Sequence, residues 1–245
     1  MSSRISDLLA AFGLLTRLPL PGTAGHRPGA AWAYPLVGAV IGALAGLLGM
    51  VAAGSGLALP LAALLVVAAQ VTMTGAMHED GLADMADGIW GGWDRAARLR
   101  IMRDSRIGSY GAIALMLGLM ARVVALTLLL EMSAGWALAA LIGAGAMSRA
   151  AMPALMLMTP PAREDGMARS VAGSRPEPAL AAAAIAALLS LVLLGWSALP
   201  AIFWTALITF VLGRLAMRKL GGHTGDVLGA GQQLSEIAIL FSILT

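Results

Sequence analysis

Seven apolar runs dominate this sequence, at residues 31–53, 57–76, 110–130, 134–158, 179–196, 200–217 and 228–245. Each is close to the ~20 residues that an α-helix needs to cross the hydrocarbon core of a bilayer. The composition agrees: 59% of the 245 residues are hydrophobic and 12% are charged, where a soluble domain carries about 25% charged side chains, and mean hydropathy is +0.85. A water-facing surface cannot be made from so few charges. The expected fold is all-α, a polytopic integral membrane helical bundle with about seven transmembrane helices, forming one domain over residues 1–245.

Two joints between runs are tight. Gly54–Gly56 and Gly195–Pro200 supply the Gly and Pro turns of hairpins, and either pair of runs is also compatible with a re-entrant segment. Ahead of the first run, Ile5, Leu8, Leu9, Phe12 and Leu15 recur at helical spacing with Arg4 and Asp7 off the stripe. That pattern predicts a short N-terminal helix lying in the membrane interface. The following Arg17-Leu18-Pro19-Leu20-Pro21-Gly22 does not resemble the small-residue site of a cleaved signal peptide.

Charge then gives sidedness. Threading the runs puts the N-terminus and the stretches 77–108, 159–178 and 218–226 on one side. Those segments hold every basic residue except Arg122, Arg149 and Arg214, which lie inside runs. The positive-inside rule assigns that side to the cytoplasm, and the chemistry with it. The formal net charge of +3 therefore reports orientation, and nucleic acid is not an expected partner.

Without cysteine, there is no thiolate nucleophile and no thiolate metal site, so oxygen and histidine ligands remain. The densest polar cluster runs from His78 to Gly88. Asp80, Asp84 and Asp87 are spaced i, i+4 and i+7, which puts three carboxylates on one helical face within two turns. A solvated acidic helix end is the ordinary reading of such a trio. Here the intervening residues are Gly, Ala, Leu and Met, the cluster sits at a membrane boundary, and Gly81 and Gly88 leave room for a close ligand. A hard divalent cation would relieve the repulsion, and Mg²⁺ bridging carboxylates to a substrate phosphate suits such a set. Asp80, Asp84 and Asp87 are the expected metal ligands. His78 reads equally as a base or as a packed polar residue.

The next segment alternates arginine with apolar residues. Asp94 is placed to cap a helix, and Arg95, Arg98 and Arg100 read as contacts to anionic lipid head groups. In Arg103-Asp104-Ser105-Arg106, two guanidiniums flank an Asp-Ser pair just before a Gly, an arrangement that can converge on phosphate. A third polar spot is Gly221 to Asp226, where Thr224 or Asp226 is positioned to cap the last helix. Beyond it, Glu236 is an intramembrane carboxylate. It is costly unless paired, and Arg122 and Arg149 lie at similar depth; a structural ion pair and a polar cleft descending from the Asp cluster both account for it.

At these residues the sequence resembles the cobalamin synthase family, the adenosylcobinamide-GDP ribazoletransferases. The resemblance rests on Thr16-Arg17-Leu18-Pro19, the His78–Gly88 block, Ile101–Gly108 with Gly111, and Gly222–Ala230 with Leu234-Ser235-Glu236. Glu79 departs from the apolar residue expected there. The resemblance implies a Mg²⁺-dependent phosphotransferase of the bacterial inner membrane, multi-pass, with its site facing the cytoplasm. Its substrates would be a corrinoid-GDP and α-ribazole or α-ribazole 5′-phosphate, GMP being released; a homo-oligomer is left open. Asp80, Asp84 and Asp87 would bind metal, and Asp84, Asp87 or His78 would take the proton. Arg103, Asp104, Ser105 and Arg106, with Asp226 and Glu236, would hold substrate and phosphate. The rival readings are a secondary transporter using the intramembrane carboxylates, and a phosphotransferase acting on another nucleotide-activated alcohol.

Overall fold

The chain is seen in a computed structural model that describes residues 3–19, 27–164 and 176–244. Arg169 and Arg175, which contribute to the charge asymmetry, lie outside the described residues. The helices are α1 (Ser3–Leu15), α2 (Tyr34–Gly54), α3 (Leu59–Thr74), α4 (Met77–Gly91), α5 (Arg95–Ile101), α6 (Ser109–Met132), α7 (Ala134–Met158), α8 (Pro176–Leu194), α9 (Ala198–Leu220) and α10 (Gly225–Ile243). Short 3₁₀ turns, Pro28–Ala33 and Gly195–Ser197, precede α2 and α9. No strand occurs among the described residues; the isolated bridge Pro161–His223 is the extended exception.

The all-α bundle agrees with the sequence reading. The turns fall where glycine allows them: Gly56 (φ 85°) ends the α2 side of one hairpin and Gly195 (φ 57°) breaks the chain before α9, conformations that cost an L side chain strain. The central helix is α7, which packs against α2, α6, α8, α9 and α10. Its approach to α2 is close because Gly38 faces Gly145 and Gly42 faces Leu141; an added Cβ on Gly38 or Gly42 would overlap the opposing carbonyl. Small residues allow such backbone contact inside a membrane, where packing replaces the hydrophobic effect between helices.

Among the described residues, four helical stretches are long and apolar enough to cross a bilayer: Gly29–Gly54, Ser109–Met132, Ala134–Met158 and Pro176–Leu220. The broken pair of α3 and α4 would make a fifth, but it bends by 88°. The expected seven runs resolve differently for physical reasons. Runs 179–196 and 200–217 belong to one apolar stretch interrupted at Gly195–Ser197, α3 has only 16 residues, and α10 carries Asp226, Gln232, Gln233 and Glu236. The bend after α3 lays α4 across the end of that helix instead of prolonging it.

The helix expected at the N-terminus is present, but its buried face is Asp7, Ala10, Ala11 and Leu15, and Ile5 is exposed. Asp7 turns inward because Arg27 donates to it at 2.8 Å and the Trp32 indole N–H approaches at 3.5 Å.

Candidate active site

The α3–α4 corner creates the site. Gly75 (φ 66°) and Ala76 (φ 57°) are both left-handed, and the amide of Asp80 then accepts the new helix by donating to the Ala76 carbonyl at 2.8 Å. As the spacing predicts, α4 holds Asp80, Asp84 and Asp87 on adjoining turns. Their environments differ: Asp80 is exposed, Asp84 half-buried and Asp87 buried.

Opposite α4 lies the first turn of α10. A Cβ on Gly81 would come within 3.0–3.2 Å of the Asp226 and Gly229 backbones, and one on Gly229 within 3.3–3.4 Å of His78 and Gly81. The space at Gly81 is therefore filled by α10, and that at Gly88 by the Met102 side chain. These glycines serve helix contact, correcting the expectation that they leave room for ligand. The contact carries Asp226 to the acidic face. Burial first, then the charges of Asp226, Asp80 and Asp87, raise the Asp84 carboxyl to about 7. Burial also raises Asp226, against the pull of Arg163, whose guanidinium lies 3.9 Å away, and a hydrogen bond from the Thr224 hydroxyl at 3.0 Å. Thr224 also caps α10, accepting the Val227 amide at 3.3 Å.

Asp87 has a different occupation from the one expected. Its two oxygens accept the Gly108 amide at 2.7 Å and the Gly111 amide at 2.8 Å, the unsatisfied donors at the start of α6. A Cβ on either glycine would collide with that carboxylate. Asp87 thus fastens α6 and the loop before it to α4, with each oxygen holding one backbone amide. In that loop, Arg106 binds Asp104 rather than standing open: its Nη2 donates to Asp104 Oδ2 at 2.6 Å, and this bond lowers the Asp104 carboxyl. Arg103 and Ser105 are exposed alongside.

The arginines of α5 are mostly engaged within the protein. Asp94 caps α5 as expected, accepting the Ala97 amide at 2.8 Å. Arg95 reaches the Leu220 and Ala162 carbonyls at 2.7 and 3.0 Å, and Arg98 the Trp93 carbonyl at 3.0 Å. Those two are corrections to the lipid-contact expectation, since carbonyls at the ends of α9 and α4 need donors; Arg100 is exposed. Arg163, a residue the sequence gave no reason to single out, donates to the Leu99 carbonyl at 2.9 Å and so stands beside Asp226.

Below the cluster is a buried polar network. Glu236, about ten residues and hence roughly 15 Å along α10 from Asp226, accepts the Gln70 and Gln232 amides, the first at 3.0 Å, and faces Arg122 at 3.5 Å and Arg149 at 3.9 Å. The meeting of Glu236, Arg122 and Arg149 is as the sequence suggests. That distance and those partners separate Glu236 from the acidic face, so the expected phosphate contact there is not what its position serves. Glu79 pairs with Arg122 at 2.7 Å, which explains a carboxylate where an apolar residue was expected. His78 is buried with Nε2 unpartnered; burial and the nearby Arg149 and Arg122 keep its pKa well below the ordinary value, so it is neutral.

Among the described residues, no three His, Asp or Glu side chains converge closely enough to enclose a metal ion by themselves. The donor chemistry nevertheless fits a hard cation: among the described residues neither Asp80 nor Asp84 forms an ion pair, and burial with the charges of Asp226, Asp80 and Asp87 raises Asp84 against the pull of Arg163. Mg²⁺ asks for one or two carboxylates with substrate phosphates completing the shell.

An apolar bundle with an acidic face at one end, anchored by a right-angled helix, defines a polytopic membrane protein with polar chemistry at its boundary. The sequence profile described as cobalamin-5-phosphate synthase matches residues 7–244. Relatives named adenosylcobinamide-GDP ribazoletransferase include those of Azorhizobium caulinodans, 45% identical over 98% of this chain and 96% of the relative, and Mesorhizobium japonicum, 41% identical over 96% and 92%. That of Sinorhizobium medicae is 44% identical over 96% and 94%. The chain belongs to the cobalamin-5-phosphate synthase family and is a membrane-bound transferase of cobalamin biosynthesis. No solved structure matches it.

Proposed function

We propose that this chain joins GDP-activated adenosylcobinamide to α-ribazole or its 5′-phosphate. A ribazole hydroxyl attacks the phosphorus that carries the cobinamide; a new P–O bond forms, the bond to GMP breaks, and GMP leaves. The reading is carried by one observation: Asp84 lies among Asp80, Asp87 and Asp226, and burial together with their charges raises its carboxyl to about 7 against the pull of Arg163.

Asp80 and Asp226 would hold Mg²⁺, which when bound supplies charge neutralisation on the diphosphate. Asp84, nearest to neutrality, takes the proton of the attacking hydroxyl, since a base works best with a pKa near the operating pH. Arg163, held beside Asp226, and Arg103 and Arg106 of the adjoining loop offer guanidinium donors to phosphate oxygens. Asp87 fixes the loop that carries the last two. The surplus of Arg and Lys at this end supports a cytoplasmic face of a bacterial inner membrane.

The test is turnover by the purified protein in detergent with adenosylcobinamide-GDP, α-ribazole and Mg²⁺. GMP release in step with corrinoid product supports the assignment, and a folded protein with no turnover on either ribazole form rejects it.

A further inference from the structure

We propose that the outer groove between the end of α7 and α9 is a binding site for one anionic phospholipid. The groove encloses about 560 Å³ and is lined by Met158, Thr159, Phe210, Gly213, Arg214, Met217 and Arg218. Arg214 and Arg218 are four residues apart on one face of α9, both exposed, and neither is paired with an acid among the described residues. The side chains between and below them are apolar: Phe210, Met217 and Met158 are all exposed.

Depth selects the occupant. Arg214 lies six residues before Leu220, about 9 Å from the end of α9 at 1.5 Å per residue, within a stretch apolar enough to cross a bilayer. A soluble anion would have to enter that zone without its water. A lipid phosphate reaches the arginines from the adjoining head-group layer, toward which long Arg side chains extend, and its acyl chains lie where Phe210, Met217 and Met158 are exposed. Two arginines one helical turn apart suit a phosphate diester, and the choline group of a zwitterionic lipid would add a cation beside two cations. Simple snorkelling of each arginine into the general head-group layer predicts a diffuse enrichment of anionic lipid to which every exposed arginine contributes and no single retained lipid tied to these two, which makes the two cases separable.

The test is native mass spectrometry of the full chain released from vesicles of equal phosphatidylglycerol and phosphatidylcholine. The wild type should retain one phosphatidylglycerol at least tenfold over phosphatidylcholine. Arg214→Gln with Arg218→Gln should remove that preference, Arg214→Lys with Arg218→Lys should keep part of it, and Arg4→Gln with Arg100→Gln, an equal loss of two charges elsewhere, should leave it intact. A thermal midpoint unchanged by the double Gln substitution shows that the fold survives. Equal retention of both lipids by the wild type, or a preference that persists in the double Gln protein, overturns the site. The result does not depend on turnover and so stands apart from the proposed transferase reaction.

Discussion

Glu79 Oε1 lies 2.7 Å from Arg122 Nη1, with both side chains almost fully buried. The pair links α4 to α6, and Gln233 of α10 donates to the same Glu79 oxygen at 3.1 Å. Charges removed from water in this way depend on their buried polar partners, so deleting one member of the pair is expected to cost about 3–5 kcal/mol. Arg122→Met should show this in detergent unfolding. Combined with Glu79→Leu, the loss should be clearly smaller than the sum of the two single losses; additivity would mean that the pair is not coupled.

Asp84→Asn should reduce turnover by about 10²–10⁴-fold without impairing the fold. A carboxyl raised to about 7 opposes the folded state once it ionises, so its penalty is absent at low pH and grows as pH rises toward 7. In the metal-free protein at pH 8, the Asn variant should therefore melt at the same temperature as wild type or higher. A lower midpoint would make Asp84 a structural residue.

The same carboxyl predicts the pH profile. If Asp84 accepts the proton, kcat/KM should rise with pH, along a limb lying below the metal-free value of about 7 because Mg²⁺ on Asp80 and Asp226 removes repulsion that raises it, and the limb should vanish in a residual-activity variant lacking that carboxylate. A profile flat from pH 4 to 8 would remove it as the base.

Asp87→Ala strands two amides at the start of α6 and should cost about 2–4 kcal/mol, since hydrogen bonds to a charged acceptor are worth roughly 1.5–3 kcal/mol each and overlap here. Unfolding without Mg²⁺ measures it. Destabilisation independent of the ion fits the fastening role, whereas loss of Mg²⁺ affinity with unchanged metal-free stability would return Asp87 to the metal shell.

Gly81→Val should push α10 from α4, since the first added carbon already sits within 3.0–3.2 Å of its backbone. Overpacking of this kind costs about 1–3 kcal/mol, and turnover should fall at least tenfold because Asp226 is displaced. Full activity would dissociate Asp226 from the reaction.

What could be read in advance was what periodicity and local cost determine. Asp80, Asp84 and Asp87 follow one another on α4 because helical spacing requires it, and Asp94 and Thr224 cap because their side chains reach amides three residues on. The encounter of Glu236 with Arg122 and Arg149 followed from the expense of isolated charge in lipid. Spacing states which face a residue occupies but not what arrives opposite. Asp226 beside Asp84, Gly108 on Asp87 and the Leu220 carbonyl on Arg95 are contacts between distant segments, invisible to local pattern. Hydropathy likewise marked the run 57–76 but not the left-handed Gly75 and Ala76 that turn the chain.

The contact of Gly81 with Gly229 also sets the order in which the protein becomes competent. Asp80 and Asp84 are translated early, while the aspartate that faces them arrives much later, with α10. A ribosome-bound chain that has not yet reached α10 therefore carries only part of the acidic face, which is completed when that helix docks on α4.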